Sequence, residues 1–278
     1  MAVNLAQKYS SQLDQVFTAG SYTDKWVNKK YDFDGVKTIN VYTVTTVAPS
    51  NYSRTETGDR FGGNNELQDV VTSYQLANDK SFKIVIDRGN YEQGALAKKA
   101  GEVLRAEMEE QVIPMIDADR IATVASGATT VSQAVSYTSN DAYGNVLSMS
   151  AYLDEAKAPI AGRVLMVTPA FYNLIKKQIT TTVNASDYNG KLLGRGYVGE
   201  LDGCPVVKVP TSYFPASTNA VMFHRDAVLG AKQITKTRII TDSELVDGTI
   251  LLGRFIFDAF VLNGKKKAVA SCTGSITA

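Results

Sequence analysis

The chain has 278 residues, enough for a sizeable core and more than one lobe, and its 44% hydrophobic and 21% charged residues suit a folded protein. No apolar run approaches the ~20 residues of a membrane span, and the opening Met1-Ala2-Val3-Asn4 lacks the charged-then-apolar layout of a signal peptide. Lys plus Arg (29) nearly balances Asp plus Glu (28), so there is no net electrostatic drive toward nucleic acid, although a local basic face stays open. His224 is the only histidine, which removes most His-based metal and acid–base sites. Cys204 and Cys272 lie far apart with no C-x-x-C partner, which argues against a disulfide framework or a zinc site.

In chain order, residues 1–34 mix short polar and aromatic pieces, with helical spacing at Tyr9, Leu13 and Val16, and read as an arm outside the core. Residues 36–47, VKTINVYTVTTV, are β-branched and strand-like. The polar stretch 48–66 that follows is long for a loop in a compact domain, and such loops are usually functional or disordered. VTSYQL (71–76) and SFKIVID (81–87) then predict a hairpin about the turn ANDK, with Phe82, Ile84 and Ile86 on one face.

The strongest helix signal is residues 91–114, with Leu96, Ala100, Val103, Leu104, Met108 and Val112 on one stripe. It would run about 33 Å at 1.5 Å per residue. Pro114 is expected to kink or end it, with MIDADRIATVASG as a continuation stopped at Gly127. Residues 128–145 are polar and Ser/Thr-rich. An α/β pattern follows: a helix over 146–159, a buried strand in GRVLMVTP (162–169), a helix from Pro169, and a strand in CPVVKVP. The tail 248–272 alternates strongly, and Asn263-Gly264 signals a hairpin turn.

The catalytic motifs are weak. GRGYVG (194–199) fits G-x-G-x-x-G, but that fingerprint needs a strand before it and a helix at its end. Here SDYNGKLL precedes it, and Gly203 and Pro205 bar a helix after it, so it reads as a glycine-rich surface loop. A nucleotide-binding enzyme using residues 194–199 remains the alternative of a different class. His224-Arg225-Asp226 echoes a kinase catalytic loop, but Ala231 stands where that loop needs Asn. Asp117 with Asp119, or Asp242, Glu244 and Asp247, are acidic groups too sparse for a hard-cation site, so no metal and no cofactor is expected. GKKKA (264–268) reads as a solvated hairpin end, with a DNA-facing patch as the minor alternative. An arm, a long polar excursion on strands and one long helix bury little within one subunit; they make sense if neighbouring copies supply the missing contacts.

The ordered set of VTSYQLANDKSFKIVID, QVIPMIDADRIATVASG, GRVLMVTPAFYNLI, GELDGCPVVKVP and DGTILLGRFIFDAFVLNGKKKAV resembles the major capsid proteins of tailed bacteriophages, the Hong Kong 97-type fold. The resemblance implies an α+β chain with an N-terminal arm (1–35) and an extended β-hairpin loop (36–80). A peripheral domain with a spine helix (81–145), an α/β axial domain (146–235) and a return to the peripheral domain (236–278) would complete it. It implies a non-enzymatic, self-assembling subunit whose hexamers and pentamers form an icosahedral shell around double-stranded DNA, assembled in the host bacterial cytoplasm and carried in the virion. Arg54, Glu56, Asp59, Arg60 and Phe61 would meet neighbours through the extended loop, and Arg195, Gly196 and Tyr197 would sit on a loop near the capsomer axis. Partners would be other copies, a portal protein, and separate scaffold or decoration proteins, with weak nonspecific contact to packaged DNA and none to membrane. The arm begins almost at once, so either any scaffold is a separate protein or the chain is a truncated form. No lysine lies between Lys37 and Lys80, so covalent cross-linking from the loop is not expected. An encapsulin-like compartment with the same fold and a protein cargo is the nearest alternative.

Overall fold

The computed structural model describes residues 20–31, 38–44, 46–55, 58, 60–62, 66, 69–87, 100–138, 141–180, 197–241 and 247–276. The chain divides into two units, Phe33–Gln75 and the remainder, Met1–Asp32 with Leu76–Ala278.

In the smaller unit the β-branched runs form β1 (Thr38–Val44) and β2 (Asp69–Gln75), paired antiparallel from Thr38↔Gln75 to Val44↔Asp69. In the larger unit β3 (Asn78–Asp87) is the edge of a three-stranded sheet. The hairpin expected between residues 71–76 and 81–87 therefore does not form. Residues 78–80 of the supposed turn are strand, and β3 pairs over ten positions with residues 248–257. The physical reason is length: a ten-position ladder with a buried face outweighs a local turn. The alternation of Phe82, Ile84 and Ile86 is kept, each being more covered than Lys83 and Val85.

The amphipathic pattern produces α1 (Ala100–Glu107), a π-helical turn (Met108–Val112) and α2 (Ile113–Gly127) in unbroken succession. Pro114 does not end the helix. It lacks an N–H, and its ring would strike the carbonyl four residues back; the wider turn just before it, with Ile113 N–H bonded to Met108 O, makes room. Gly127 closes α2, where a Cβ would lie 2.7 Å from Val261 Cγ2. The helical run serves both sheets of the larger unit. Val112 and Ile116 pack with Phe255 and Phe257 of the three-stranded sheet, whereas Ile121 and Val124 pack with Val164, Met166, Val221 and Phe223 of the six-stranded one.

That larger sheet takes in β4 (Thr129–Tyr137), β5 (Arg163–Val167), β6 (Tyr197–Leu201), β7 (Cys204–Lys208), β8 (Thr218–His224) and β11 (Val269–Ile276), in the order β4-β11-β8-β5-β7-β6. Between them in sequence come α3 (Ala142–Glu155) and α4 (Pro169–Thr180). β5 shows why the sheet is covered on both faces: Leu165 and Val167 point into the cluster of α3 and α4, and Val164 and Met166 into that of α2. β4 arises in the segment read only as polar and Ser/Thr-rich. It pairs parallel with β11, and the hydroxyl of fully buried Tyr137 donates to Thr273 O at 3.0 Å.

β9 (Val228–Ile240) and β10 (Gly248–Val261) complete the three-stranded sheet, β3-β10-β9. The hairpin expected at Asn263-Gly264 is absent. β10 already has partners on both edges, so the 3-10 turn Asn263–Ala268 carries the chain to β11 in the other sheet.

Residues 20–31, expected within an arm, dock into the larger unit. Val27 and Thr23 are buried, Asn28 N–H bonds Val228 O at 2.8 Å, and Gly230 N–H bonds Asn28 O at 3.2 Å. The carboxylate of buried Asp117 accepts from Ser21 Oγ (2.8 Å), Tyr22 N–H (2.7 Å) and Thr23 Oγ1 (2.5 Å). Arg120, 2% exposed, donates to Thr23 Oγ1 at 3.0 Å and lies 4.0 Å from Asp117. Close packing seals the junction: a Cβ on Gly230 would come 2.6 Å from Val27 Cγ2.

Asp119, two residues on from Asp117 and therefore on the opposite side of α2, faces the β3–β10 side. Burial, then the charge of Asp258, push its carboxyl above the ordinary value, against the Asn78 hydrogen bond and the Arg120 charge. A raised carboxyl stabilises the fold below the unfolded-state pKa, and that contribution is lost as pH rises through the folded-state value. Asp119→Asn is therefore expected to melt above wild type at pH 7, with the gap closing in acid. A melting curve at each pH checks this; an equal gap at both would show that Asp119 carries no such charge penalty.

Candidate assembly interface

The β1–β2 ribbon has only two strands, and such a ribbon is marginal without a third strand or a packed face. Yet its sequence is β-branched and aromatic. As a result, exposed large apolar side chains concentrate here: Tyr42, Val44, Val47, Tyr52, Phe61, Val70 and Val71. Tyr42 is 69% and Phe61 82% exposed. Isolated surface apolar residues are ordinary, but a concentration on one two-stranded ribbon makes it the candidate contact surface.

Within the same unit, the segment between β1 and β2 is organised. Ser53 N–H bonds Arg60 O at 3.0 Å, and Ser50 Oγ bonds Phe61 O at 2.8 Å. The Tyr52 and Phe61 rings meet edge to face with centroids 5.0 Å apart. Gly62 has φ +85°, and a Cβ there would lie 2.6 Å from Ser50 Oγ, so glycine is required on both counts. The clamp holds Phe61 outward with exposed Arg54 and Arg60 nearby in sequence. Glu56 and Asp59 lie outside the described residues. The structure thus brings Arg60 and Phe61 together with Ser50, Tyr52 and Ser53. Ser50 and Tyr52 were not foreseen, although the low apolar content of 48–66 makes its one Tyr and one Phe conspicuous.

Of the second predicted group, Arg195 and Gly196 lie outside the described residues, and Tyr197 opens β6, the edge strand of the six-stranded sheet. β6 leads into β7 through Asp202-Gly203, with φ of 51° and 70°, a two-residue hairpin turn of the kind Asp-Gly favours. The element following GRGYVG is therefore a β-hairpin, and the helix N-terminus that a pyrophosphate requires is not there.

The other motif residues have structural partners. His224 ends β8; its Nδ1 accepts the Asp226 N–H at 3.2 Å, which leaves Nε2 to donate to Ala161 O at 3.0 Å. Asp117 is occupied by residues 21–23, as described. Asp242 and Glu244 lie outside the described residues. Cys204 and Cys272 are buried free thiols, and burial pushes Cys272 up to about 12, which leaves it a poor nucleophile at neutral pH. Arg163, also buried, ties the α3–β5 turn together through Asp154 at 2.6 Å and the carbonyls of Ala158 and Pro159. Among the described residues, no three His, Cys, Asp or Glu side chains are grouped to hold a metal, and no helix is long and apolar enough to cross a membrane.

A sequence model described as phage capsid protein matches residues 99–271, from the central helix through the sheets to β11. The chain belongs to the phage capsid protein family. It is a structural major capsid protein, a component of the virion shell. The fold is shared at low identity across several capsids. The Mycobacterium phage Che8 structure aligns with a TM-score of 0.72 at 17% identity, covering 98% of each chain. The capsid of cyanophage P-SCSP1u aligns at 0.76 and 13%, covering 99% of this chain and 94% of that one. The capsid of Ralstonia phage GP4 aligns at 0.70 and 10%, covering 99% and 96%. No curated protein sequence matches the chain. The capsid protein is thus an α+β protein of the tailed-phage capsid fold, as its ordered motifs imply.

Proposed function

We propose that this capsid protein assembles with copies of itself into hexamers and pentamers that close into an icosahedral shell around double-stranded DNA. The observation that carries the reading is the ribbon of β1 and β2 with the segment between them, which leaves Tyr42, Phe61 and several valines exposed among the described residues. In this reading residues 36–80 form the extended loop, and Arg54, Glu56, Asp59, Arg60 and Phe61 meet an adjacent copy. Residues 81–145 carry the spine helix of a peripheral domain, and 146–235 form an axial domain whose Arg195, Gly196 and Tyr197 approach the capsomer axis. The role is mechanical, with no catalytic step. A portal and separate scaffold or decoration proteins would join the copies, and assembly would take place in the host bacterial cytoplasm. Individual exposed ion pairs are worth little, and a shell gains by repeating them in every copy.

Negative-stain electron microscopy with light scattering on the purified chain tests this. Closed shells, or five- and six-membered rings, are expected, with a nuclease-sensitive genome as content of virion-derived particles once opened. A homogeneous monomer or dimer that persists with crowding agent and scaffold would sink the reading.

A further inference from the structure

The lysine run that reads from sequence as a solvated hairpin end has a different setting in the fold. Residues 263–268 are not a hairpin tip but the 3-10 turn joining the two sheets, and Lys265, Lys266 and Lys267 are all exposed on it. The turn is held in place by buried Leu262, whose N–H bonds Ala227 O at 2.9 Å and whose carbonyl accepts from Lys265 N–H at 2.9 Å. That contact sets it against a second short turn, Arg225–Ala227.

The two turns gather positive charge around one carboxylate. Lys265 Nζ donates to the backbone carbonyl of Asp226 at 3.3 Å. Arg225 Nε lies 3.9 Å from Asp226 Oδ1, and Lys30, brought in by the docked segment 20–31, has its Nζ 3.7 Å from the same oxygen. Lys266 and Lys267 have no acidic partner among the described residues. Three segments distant in sequence thus bring Lys30, Arg225 and Lys265 to Asp226, with exposed Lys266 and Lys267 next along the same turn, within a chain whose net charge is only +1.

We infer that this surface, Lys30, Arg225 and Lys265–Lys267, binds the phosphate backbone of double-stranded DNA. The inference rests on the proposed shell reading for the presence of DNA at the protein. Charge complementarity selects the occupant: B-DNA carries about one negative charge per 1.7 Å of axis, and contact with it needs only cations that can reach successive phosphates. Lysines supply such point charges on flexible stems. A protein partner would call for an apolar centre inside a polar rim. Here the apolar residues beside the cations, Ala227, Leu262 and Val269, are buried within the subunit. The other basic area, the cleft lined by Lys83, Arg238 and Arg254, is less suited, because Asp79 pairs with both Nε and Nη2 of Arg254. The contact would be independent of sequence and steeply dependent on salt.

The test is fluorescence anisotropy of a short labelled duplex with the purified full chain, between about 50 and 200 mM salt. Replacing Lys265, Lys266 and Lys267 together by Gln is expected to weaken binding at least about tenfold and to lower the slope of log K against log salt by about three. The corresponding triple Arg variant should retain binding, and Lys83→Gln with Arg238→Gln should leave it unchanged. Unaltered affinity and slope in the triple Gln variant would overturn the inference, as would a loss that appears only in the Lys83 and Arg238 variant. Normal DNA binding with failed shell formation in the triple Gln variant would also overturn it, and would give the surface to an acidic face of a neighbouring copy. Shell formation by the wild type is read separately by microscopy, so patch-dependent DNA binding without shells would sink the shell reading and leave this one standing.

Discussion

Asp117→Ala is expected to cost about 3–5 kcal/mol of stability, because it strips a buried cation of its counter-charge. Arg120 is 2% exposed, and two of its nitrogens, Nε and Nη2, already lack a partner. Without Asp117, its remaining contacts are Thr23 Oγ1 at 3.0 Å and half-exposed Asp24 at 3.4 Å. The same substitution removes the acceptor for Ser21, Tyr22 and Thr23, so residues 20–31 should leave their groove. The measurement is a denaturant melt beside limited trypsin digestion, with Lys25, Lys29 and Lys30 as the reporting cleavage sites. A loss under about 1 kcal/mol with the segment still protected would show that the clamp is held by Val27 and Asn28 instead. Docking of this segment also places Lys30 beside Asp226, so the variant should weaken DNA binding as well as stability.

Phe61→Asp should act in the opposite way, with large effect on assembly and little on the subunit. The ring is 82% exposed and touches Tyr52 edge to face, so the melting curve should move by no more than about 0.5 kcal/mol. Buried against a neighbour, an aromatic anchor of this kind is worth about 2–4 kcal/mol, so the concentration needed for shells should rise at least about thirtyfold. Light scattering against concentration reads this directly. Normal assembly by Phe61→Asp would remove Phe61 from the interface and shift attention to Tyr42 and Val71, which stand opposite each other on the ribbon.

Much of the local structure was legible in the sequence. The stripe from Val103 to Val112, the uniformly apolar RVLMV, the proline opening α4 and the β-branched TINVYTV each form the element that the sequence implies, while residues 91–99 of the expected helix lie outside the described residues. Periodicity succeeds there because it reports which side of an element leaves water, a property of a dozen neighbouring residues. The polar run around Arg54, Arg60 and Phe61 was legible as a loop unusually long for a compact domain, and its contact with a neighbouring copy belongs to the proposed function.

Strand partnership was not legible. β2 and β3 look like a hairpin, as do β10 and β11, yet each pair is divided between sheets, because the choice depends on which distant edges are open and how long a ladder they offer. β4 is too polar to announce itself and exists through its parallel pairing with β11. The π turn before Pro114, the docking of residues 20–31 on Asp117 and the meeting of Lys30, Arg225 and Lys265 are settled in the same way. Sequence by itself determined the faces of the elements, since burial follows local apolar spacing. Tertiary structure alone decided which elements meet and which charges share a surface, since hydrogen-bond ladders and ion pairs join residues that are far apart in the sequence, as in Lys30 and Asp226.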